Sequence, residues 1–454
     1  MKKFCTRCAS LFSNHYTLLI VLLFLAVATR FFAFGYPDQI VFDEFHFAQF
    51  TDRYFDGKYY FDIHPPLAKL VMAGAALIAG HEPNTSFTFT KIGQQYTDNS
   101  YKAYRAAVSV AGVLLVLAMY AFSYQLFKKK SVAFFSGLLV IFDNALLTQS
   151  RLALMDIFLL LFGIAGLWIL WLARTRERKW SKIALYVVAG VLVGCAASVK
   201  MTGVFFIGLA GVVVLADIIA RKGKRLIMLG LGTLLALCAV GVYMFWCWLH
   251  LALLPLSGTG DVYMTGPFRA TLVGNEYYHT NDFVPQNMLY KIVELNEKMF
   301  TYNRDLTAPH TESSAWYQWP FGIKPIYYWL GPFGTPRTPT MYLHGNEIIW
   351  YAGVGAFFWA LLWFVIKTTR EKRMTTEAWA VLFLMFGYWV NLLAYTAIAR
   401  VAFLYHYFPS LLCLVILLAW MLGKWFLKYP IVVVFFFLIV VWQFIQLATI
   451  TYGI

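Results

Sequence analysis

The chain has 454 residues, of which 61% are hydrophobic and 13% charged, with 41 Phe, 28 Tyr and 16 Trp. A water-soluble domain of this length needs a larger charged surface, so the composition excludes one and points to a protein of the bilayer. The net charge of +15 does not indicate nucleic acid, because the basic residues sit in short segments between apolar runs.

The apolar runs and the breaks between them predict eleven spans. They fall near 17–36, 106–127, 132–147, 154–172, 183–199, 202–220, 226–249, 346–366, 378–397, 402–422 and 430–449. The first run has no small-residue cleavage site and reads as a retained helix, not a signal peptide. With the N-terminus inside, alternate connections carry Lys2, Lys3 and Arg7, then Lys128–Lys130, Arg174–Lys182, Arg221–Arg225, Lys367–Arg373, and Lys424 with Lys428. These hold 21 of the 37 basic residues against four acids (Glu177, Asp217, Glu371, Glu377), so the other side is close to neutral. The bias obeys the positive-inside rule and, with eleven spans, places the C-terminus outside.

Three parts follow from this pattern: an N-terminal module 1–250 with an outer loop 37–105, a central outer loop 251–345, and a C-terminal module 346–454 of four spans. Leu67–Gly80 is apolar but too short to cross hydrocarbon and reads as a helix lying in the interface. Cys5 and Cys8 form a lone CxxC without partners for a metal site, so they read as bystander thiols.

The first outer loop opens on Ile40-Val41-Phe42-Asp43-Glu44-Phe45-His46 and continues to Asp62-Ile63-His64-Pro65-Pro66-Leu67-Ala68-Lys69. A carboxylate held at a dry membrane edge gains proton affinity and suits a general base; a solvated acidic loop is the plainer reading. Asp143, Arg151 and Asp156 mark the outer turn between the third and fourth spans. Lys200 lies between the fifth and sixth, and Arg400 and His406 near the tenth. Ionisable groups at such depths are paired or functional.

Together these segments resemble the protein O-mannosyltransferase family, membrane enzymes that use polyprenyl- or dolichyl-phosphate mannose. Phe42-Asp43-Glu44-Phe45-His46 and the Asp62–Lys69 stretch carry the resemblance first. It continues through Tyr104-Arg105, Phe142-Asp143-Asn144-Ala145 with Gln149-Ser150-Arg151 and Asp156, and Ser198-Val199-Lys200. Further on come His250, Ser257-Gly258-Thr259-Gly260-Asp261, Trp316 to Pro320, Gly345-Asn346 and Tyr405-His406-Tyr407-Phe408-Pro409. Eukaryotic members carry a MIR domain in the central outer loop. Segment 250–345 has no room for one, so the chain resembles the shorter prokaryotic form.

The resemblance implies an all-α integral membrane protein of the GT-C glycosyltransferase type. It further implies inverting transfer of mannose from polyprenyl-phosphate mannose to Ser or Thr of exported polypeptides, outside the cell membrane. Asp43 is then the catalytic base and Glu44 its orienting neighbour. Arg105 is the first candidate to clamp the donor phosphate, with Arg151, Lys200 and Arg400 behind it. His46, His64, Asp156, Tyr405 and His406 are supporting residues. No cofactor and no metal are expected, and the partners are the donor, the acceptor polypeptide and lipid. Two other readings stay open. One is a transferase of the same fold that moves another lipid-linked sugar onto a glycolipid. The other is a transporter, which the missing internal repeat disfavours.

Overall fold

The computed structural model describes residues 14–81, 87–332, 338–398 and 400–454. Cys5, Cys8 and the basic residues Lys2, Lys3 and Arg7 lie outside them. Eight helices among the described residues are long and apolar enough to cross a bilayer. They are α4 (Tyr101–Phe127), α7 (Asp156–Arg174), α8 (Lys179–Val199), α9 (Val204–Ala220), α10 (Arg225–Leu253), α13 (Glu347–Glu371), α14 (Thr376–Ala394) and α15 (Phe408–Phe426), three of them lengthened by a short preceding turn. Three of the eleven expected spans are the shorter apolar helices α1 (His15–Phe31), α5 (Lys130–Ile141) and α16 (Pro430–Gln446).

The expected third span, 132–147, is two helices. α5 stops at Ile141, and Asp143 then starts the short α6 (Asn144–Gln149) by accepting the Leu146 N–H at 2.9 Å. A carboxylate that captures an orphan N–H begins a new helix more readily than it continues an old one. The last span likewise ends at Gln446, and α17 (Ala448–Tyr452) turns back to the bundle, where the Tyr452 hydroxyl donates to Thr29 O at 2.9 Å. Side-chain caps from Asn14, Asn346 and Thr375 start α1, α13 and α14.

The core is helix on helix. Every residue from Phe408 to Gly423 in α15 is buried, with α13, α14 and α5 packed around it. α8 lies between α7 and α10 and approaches α10 through Gly190 and Gly194. A Cβ at Gly190 would stand 2.5 Å from Leu235 O, and one at Gly194 2.6 Å from Ala239 O. Small residues four apart allow this backbone approach, which is worth most where lipid supplies no hydrophobic drive between helices.

The two long connecting segments contain α2 (Glu44–Asp56), α3 (Leu67–Ile78), the four-residue α11 (Gly266–Arg269) and α12 (Met288–Asp305). They also hold an antiparallel pair, β1 (Ile326–Leu330) and β2 (Thr340–Leu343), in register Ile326 to Leu343, which the all-α expectation did not include. α3 is the helix expected in the interface, and it packs on α2 and α4. The glycines of Ser257-Gly258-Thr259-Gly260-Asp261 serve the same close approach as those of α8: a Cβ on Gly258 would meet Tyr59 O at 2.2 Å. Asp261 closes this turn by accepting from the Gly258 N–H at 3.0 Å and from the Asn275 amide at 2.6 Å, which seats residues 59–62 on the central loop.

Overpacking this helix contact costs about 1–3 kcal/mol. Gly194→Leu is therefore expected to lower the thermal midpoint in detergent by several degrees, whereas Gly208→Leu, whose Cβ meets nothing within 4 Å, leaves it unchanged. Equal midpoints for the two variants would remove the close α8–α10 contact from the packing account.

Candidate active site

The chemistry-bearing motifs converge at one end of the bundle, where α4 and α7 begin, α8 ends and α15 begins. Phe42 adopts a left-handed φ of 41° and stacks its ring on Tyr328 at 4.6 Å and 9°. A bulky residue holds that conformation only when its surroundings impose it, and sites of function collect such residues. Immediately after it the two adjacent carboxylates part.

Glu44 is fully buried. Its carboxylate takes the Arg105 Nε–H at 2.8 Å and an Arg105 Nη–H at 2.7 Å, together with the backbone N–H groups of Ala153 at 2.6 Å and Val41 at 3.2 Å. Arg105 spends its other donors on carbonyls: Gly35 at 2.9 Å, Pro37 at 2.6 Å and Gln39 at 3.1 Å. No N–H of Arg105 is left for a ligand, and its side chain is wholly buried. The arginine expected to clamp the phosphate is thus closed on Glu44 and three backbone carbonyls, an arrangement suited to positioning the loop, and the Glu44 carboxylate meets Arg105 and two backbone N–H groups rather than Asp43. Sequence inspection missed the pairing because the partners stand 61 positions apart.

Asp43 is half-buried, and its carboxylate makes no hydrogen bond or ion pair among the described residues. It lines a recess of about 350 Å³ shared with Phe45, the exposed His46, Lys91 and His310. Burial pushes its pKa up to about 7; Lys200 opposes the rise, while Asp156 and Asp62 add to it. A carboxyl group with that affinity is poised to take and release a proton near neutrality.

Lys200 is paired with Asp156 at 2.8 and 3.0 Å, and its ammonium lies 4.4 Å from the Tyr405 ring centre. Around it gather Lys69, Arg400, His64 and His406. Burial first, and then the charges of Lys200, Lys69, Arg400 and His406, hold the His64 imidazole well below its usual pKa, so it is neutral. Lys69 is bound to Asp62 and donates to the carbonyls of His64 and Pro65, both at 3.2 Å. Arg400 donates to the Asn303 amide oxygen, and the Asn303 amide N–H donates to Ile63 O at 2.7 Å. His406 stacks near Trp319, 6.1 Å between centroids at 23°. Asp43, His64, Asp156, Lys200, Arg400, Tyr405 and His406 therefore lie within electrostatic reach of one another at this end of the bundle, with Asp43 and His46 lining one recess and His64 a separate small cavity. Asp62, Lys69 and Asn303 are members that the sequence did not single out, although Asp62 and Lys69 stand in the motif beside His64.

Arg151 donates to the carbonyls of Phe32 at 2.8 Å and Ala33 at 2.9 Å, and it lies 4.2 Å from the Tyr452 ring centre. It joins the end of α1 to α17, and its Nε and other Nη have no hydrogen-bond partner among the described residues. Among the described residues, no three His, Cys, Asp or Glu side chains gather as metal ligands.

Removing one partner of a fully buried ion pair costs about 3–5 kcal/mol, because the other charge is left uncompensated. Arg105→Lys keeps the charge but supplies one ammonium where a planar fork met three carbonyls and a carboxylate. Both Arg105→Lys and Glu44→Gln are expected to lower the thermal midpoint, while Asp43→Asn leaves it near the wild-type value. Wild-type stability in Arg105→Lys would refute the positioning role.

Residues 20–258 match the family model described as dolichyl-phosphate-mannose-protein mannosyltransferase, and residues 288–454 match that for the C-terminal four-span region of protein-O-mannosyltransferase. Mannosyltransferase 4 of this kind from Candida albicans is 34% identical over 264 residues, which is 55% of this chain and 35% of the relative. Protein O-mannosyltransferase 1 of Drosophila pseudoobscura pseudoobscura is 34% identical over 56% of this chain and 29% of its own length. The aligned part thus spans about a third of these relatives. Among solved structures, the Pmt1–Pmt2 complex of S. cerevisiae bound to the sugar donor superposes with a TM-score of 0.87 at 18% identity, over 99% of this chain and 92% of that one. ArnT of Cupriavidus metallidurans bound to undecaprenyl phosphate gives 0.54 at 14% identity, over 92% and 60%. The fold is that of these GT-C enzymes, and over most of its length the chain belongs to the dolichyl-phosphate-mannose-protein mannosyltransferase family.

Proposed function

We propose that the protein transfers mannose from polyprenyl-phosphate mannose to Ser or Thr hydroxyls of exported polypeptides. The reaction runs on the outer face of the cell membrane, with the N-terminus in the cytoplasm and the C-terminus outside. The observation that carries this reading is the unpaired Asp43 carboxylate, set in an open recess beside the Lys200–Asp156 pair. Family membership and the donor-bound state of the Pmt1–Pmt2 relative support the choice of sugar and carrier. The charge bias of the connections supports the orientation.

The reaction is a single displacement. Asp43 removes the proton of the acceptor hydroxyl, and the freed oxygen pair bonds to the anomeric carbon from the face opposite the phosphate. The bond from that carbon to the phosphate oxygen breaks, and its electrons leave with the lipid phosphate, so the anomeric configuration inverts. Phosphate gains charge as it leaves. Lys200 and Arg400 supply the opposing charge, and the rings of His64 and His406 supply hydrogen bonds. Asp156 and Tyr405 hold Lys200 in place, and Asn303 does the same for Arg400.

General-base removal costs about 10²- to 10⁴-fold in rate. Asp43→Asn is expected to lose mannosyl transfer to a Ser/Thr peptide within that range while binding the donor normally. Because burial raises the Asp43 pKa to about 7, the base is ionised only above that value. In the wild type, kcat/KM is therefore expected to rise with pH through about 7, and this limb is absent from the residual activity of Asp43→Asn. A flat profile between pH 5 and 8 would dismiss Asp43 as the base.

The leaving-group assignment has its own check. Arg400→Ala is expected to raise the KM for polyprenyl-phosphate mannose by about ten- to a hundredfold, as loss of a charged hydrogen bond of about 1.5–3 kcal/mol implies. An unchanged donor KM would remove Arg400 from the phosphate site.

A further inference from the structure

A second, larger opening lies on the outer side, away from the reacting carboxylate. It is a groove of about 570 Å³ between α12 and the Asp261–Tyr263 turn. Its floor is aromatic. Phe61 and Tyr263 stack at 4.8 Å and 29°, and Tyr302 meets both edge-on at 5.9 and 6.0 Å. Phe61 is buried beneath the other two, whereas Tyr263 is 41% and Tyr302 43% exposed, so two ring surfaces face outward with nothing packed on them. Lys298 and Asp305, seven residues apart on α12, also line the groove, and Lys298 has no ion pair among the described residues.

Along the chain, the groove leads toward the recess of Asp43. Leu306, Thr307 and Ala308 form its far wall, and two residues later His310 lines the recess itself. Two extended residues cover about 7 Å. Thr307, Ala308, Pro309 and His310 are all exposed, so this stretch is an open track joining the two cavities. The track is firmly seated: Leu306 O accepts the Val401 N–H at 3.4 Å, and the His310 ring lies edge-on to Phe403 at 5.2 Å. Asn303, one residue from Tyr302, ties the same helix to Ile63 and to Arg400.

We propose that this groove is an acceptor subsite that receives the polypeptide two to four residues from the target Ser or Thr. An apolar or aromatic side chain lies on Tyr263 and Tyr302, and the peptide backbone runs along residues 307–310. This deepens the mannosyltransferase reading and rests on it. The exposed track favours an extended polypeptide over a sugar, because a single saccharide on the rings would not reach the carboxylate through it. The groove recognises a side chain near the hydroxyl, so it selects among Ser and Thr residues without touching the reacting atoms.

The test uses full-length enzyme in detergent, polyprenyl-phosphate mannose and two acceptors: a tripeptide with central Thr, and a nonapeptide with the same centre and a Phe three residues away. Wild type is expected to show a KM about tenfold lower for the nonapeptide, which corresponds to about 1.4 kcal/mol. The doubly substituted Tyr263→Ala, Tyr302→Ala enzyme loses that ratio, and Tyr302→Phe retains it. As a check independent of folding, benzoylphenylalanine in place of the Phe should crosslink on wild-type enzyme to residues 298–308. A ratio of one in wild type, or a crosslink mapped elsewhere, overturns the subsite. A gain in affinity seen only when the peptide already carries mannose makes the groove a glycan site and overturns the polypeptide assignment. Absence of mannose transfer to either peptide by wild type overturns the mannosyltransferase reading itself, a failure distinct from that of the groove.

Discussion

The site depends on one buried ion pair. Glu44 and Arg105 share no surface with solvent, and taking two such charges from water costs several kcal/mol per ion. The structure offsets that cost by saturating both groups: the guanidinium meets a carboxylate and three carbonyls, and the carboxylate also takes two backbone N–H groups. The cluster draws together the chain after α1, the start of α2, the first turn of α4 and the loop before α7. A pair built this way contributes little net stability compared with apolar packing, but it tolerates almost no change in geometry. It fixes where Asp43 stands, one residue away, and the left-handed Phe42 turns that carboxylate out of the pair and into the recess.

Charge is divided between the two ends of the bundle. At the site end, three cations, Lys69, Lys200 and Arg400, stand among three carboxyl groups: Asp62 and Asp156 are paired with Lys69 and Lys200, while Arg400 and Asp43 have no ionic partner among the described residues. Charges left unpaired at a membrane surface are costly unless a ligand completes them. At the other end, Arg174 with Arg221 on Asp217, and Lys424 on Glu377, form ordinary bridges near the ends of the helices.

Much of the fold was legible because apolar runs of spanning length have few alternatives. The difficult positions were polar interruptions inside apolar sequence. Asp143 in the run 132–147 was read as an outer turn charge, but the run was not divided there; a single carboxylate next to Asn144 suffices to cap a new helix. The strand pair was missed because β1 and β2 are five and four residues long within an aromatic-rich loop and follow no clear alternation. Within the site, motif order pointed to Asp43, Lys200 and His406, and a charge at a span boundary pointed to Arg400. It could not say which arginine faces a ligand. Arg105, Arg151 and Arg400 all sit near apolar boundaries, and only tertiary partners separate an arginine closed on carbonyls from one poised beside Lys200. Asn303 gave no signal at all, since its two partners, Ile63 and Arg400, lie 240 positions before it and 97 after it.

The complete burial of α15 from Phe408 to Gly423 carries a consequence for how this protein meets its solvent. Its apolar side chains face protein on every side, whereas only 22% of the most apolar stretch of α10 is covered by the rest of the chain. Two helices of similar hydropathy therefore belong to different media. A carbene reagent dissolved in the bilayer would mark α10 and pass over α15. Sequence drift should follow the same division: exchange among Leu, Ile, Val and Phe is nearly free where acyl chains conform to any shape, and it is constrained where each side chain fills a fixed volume.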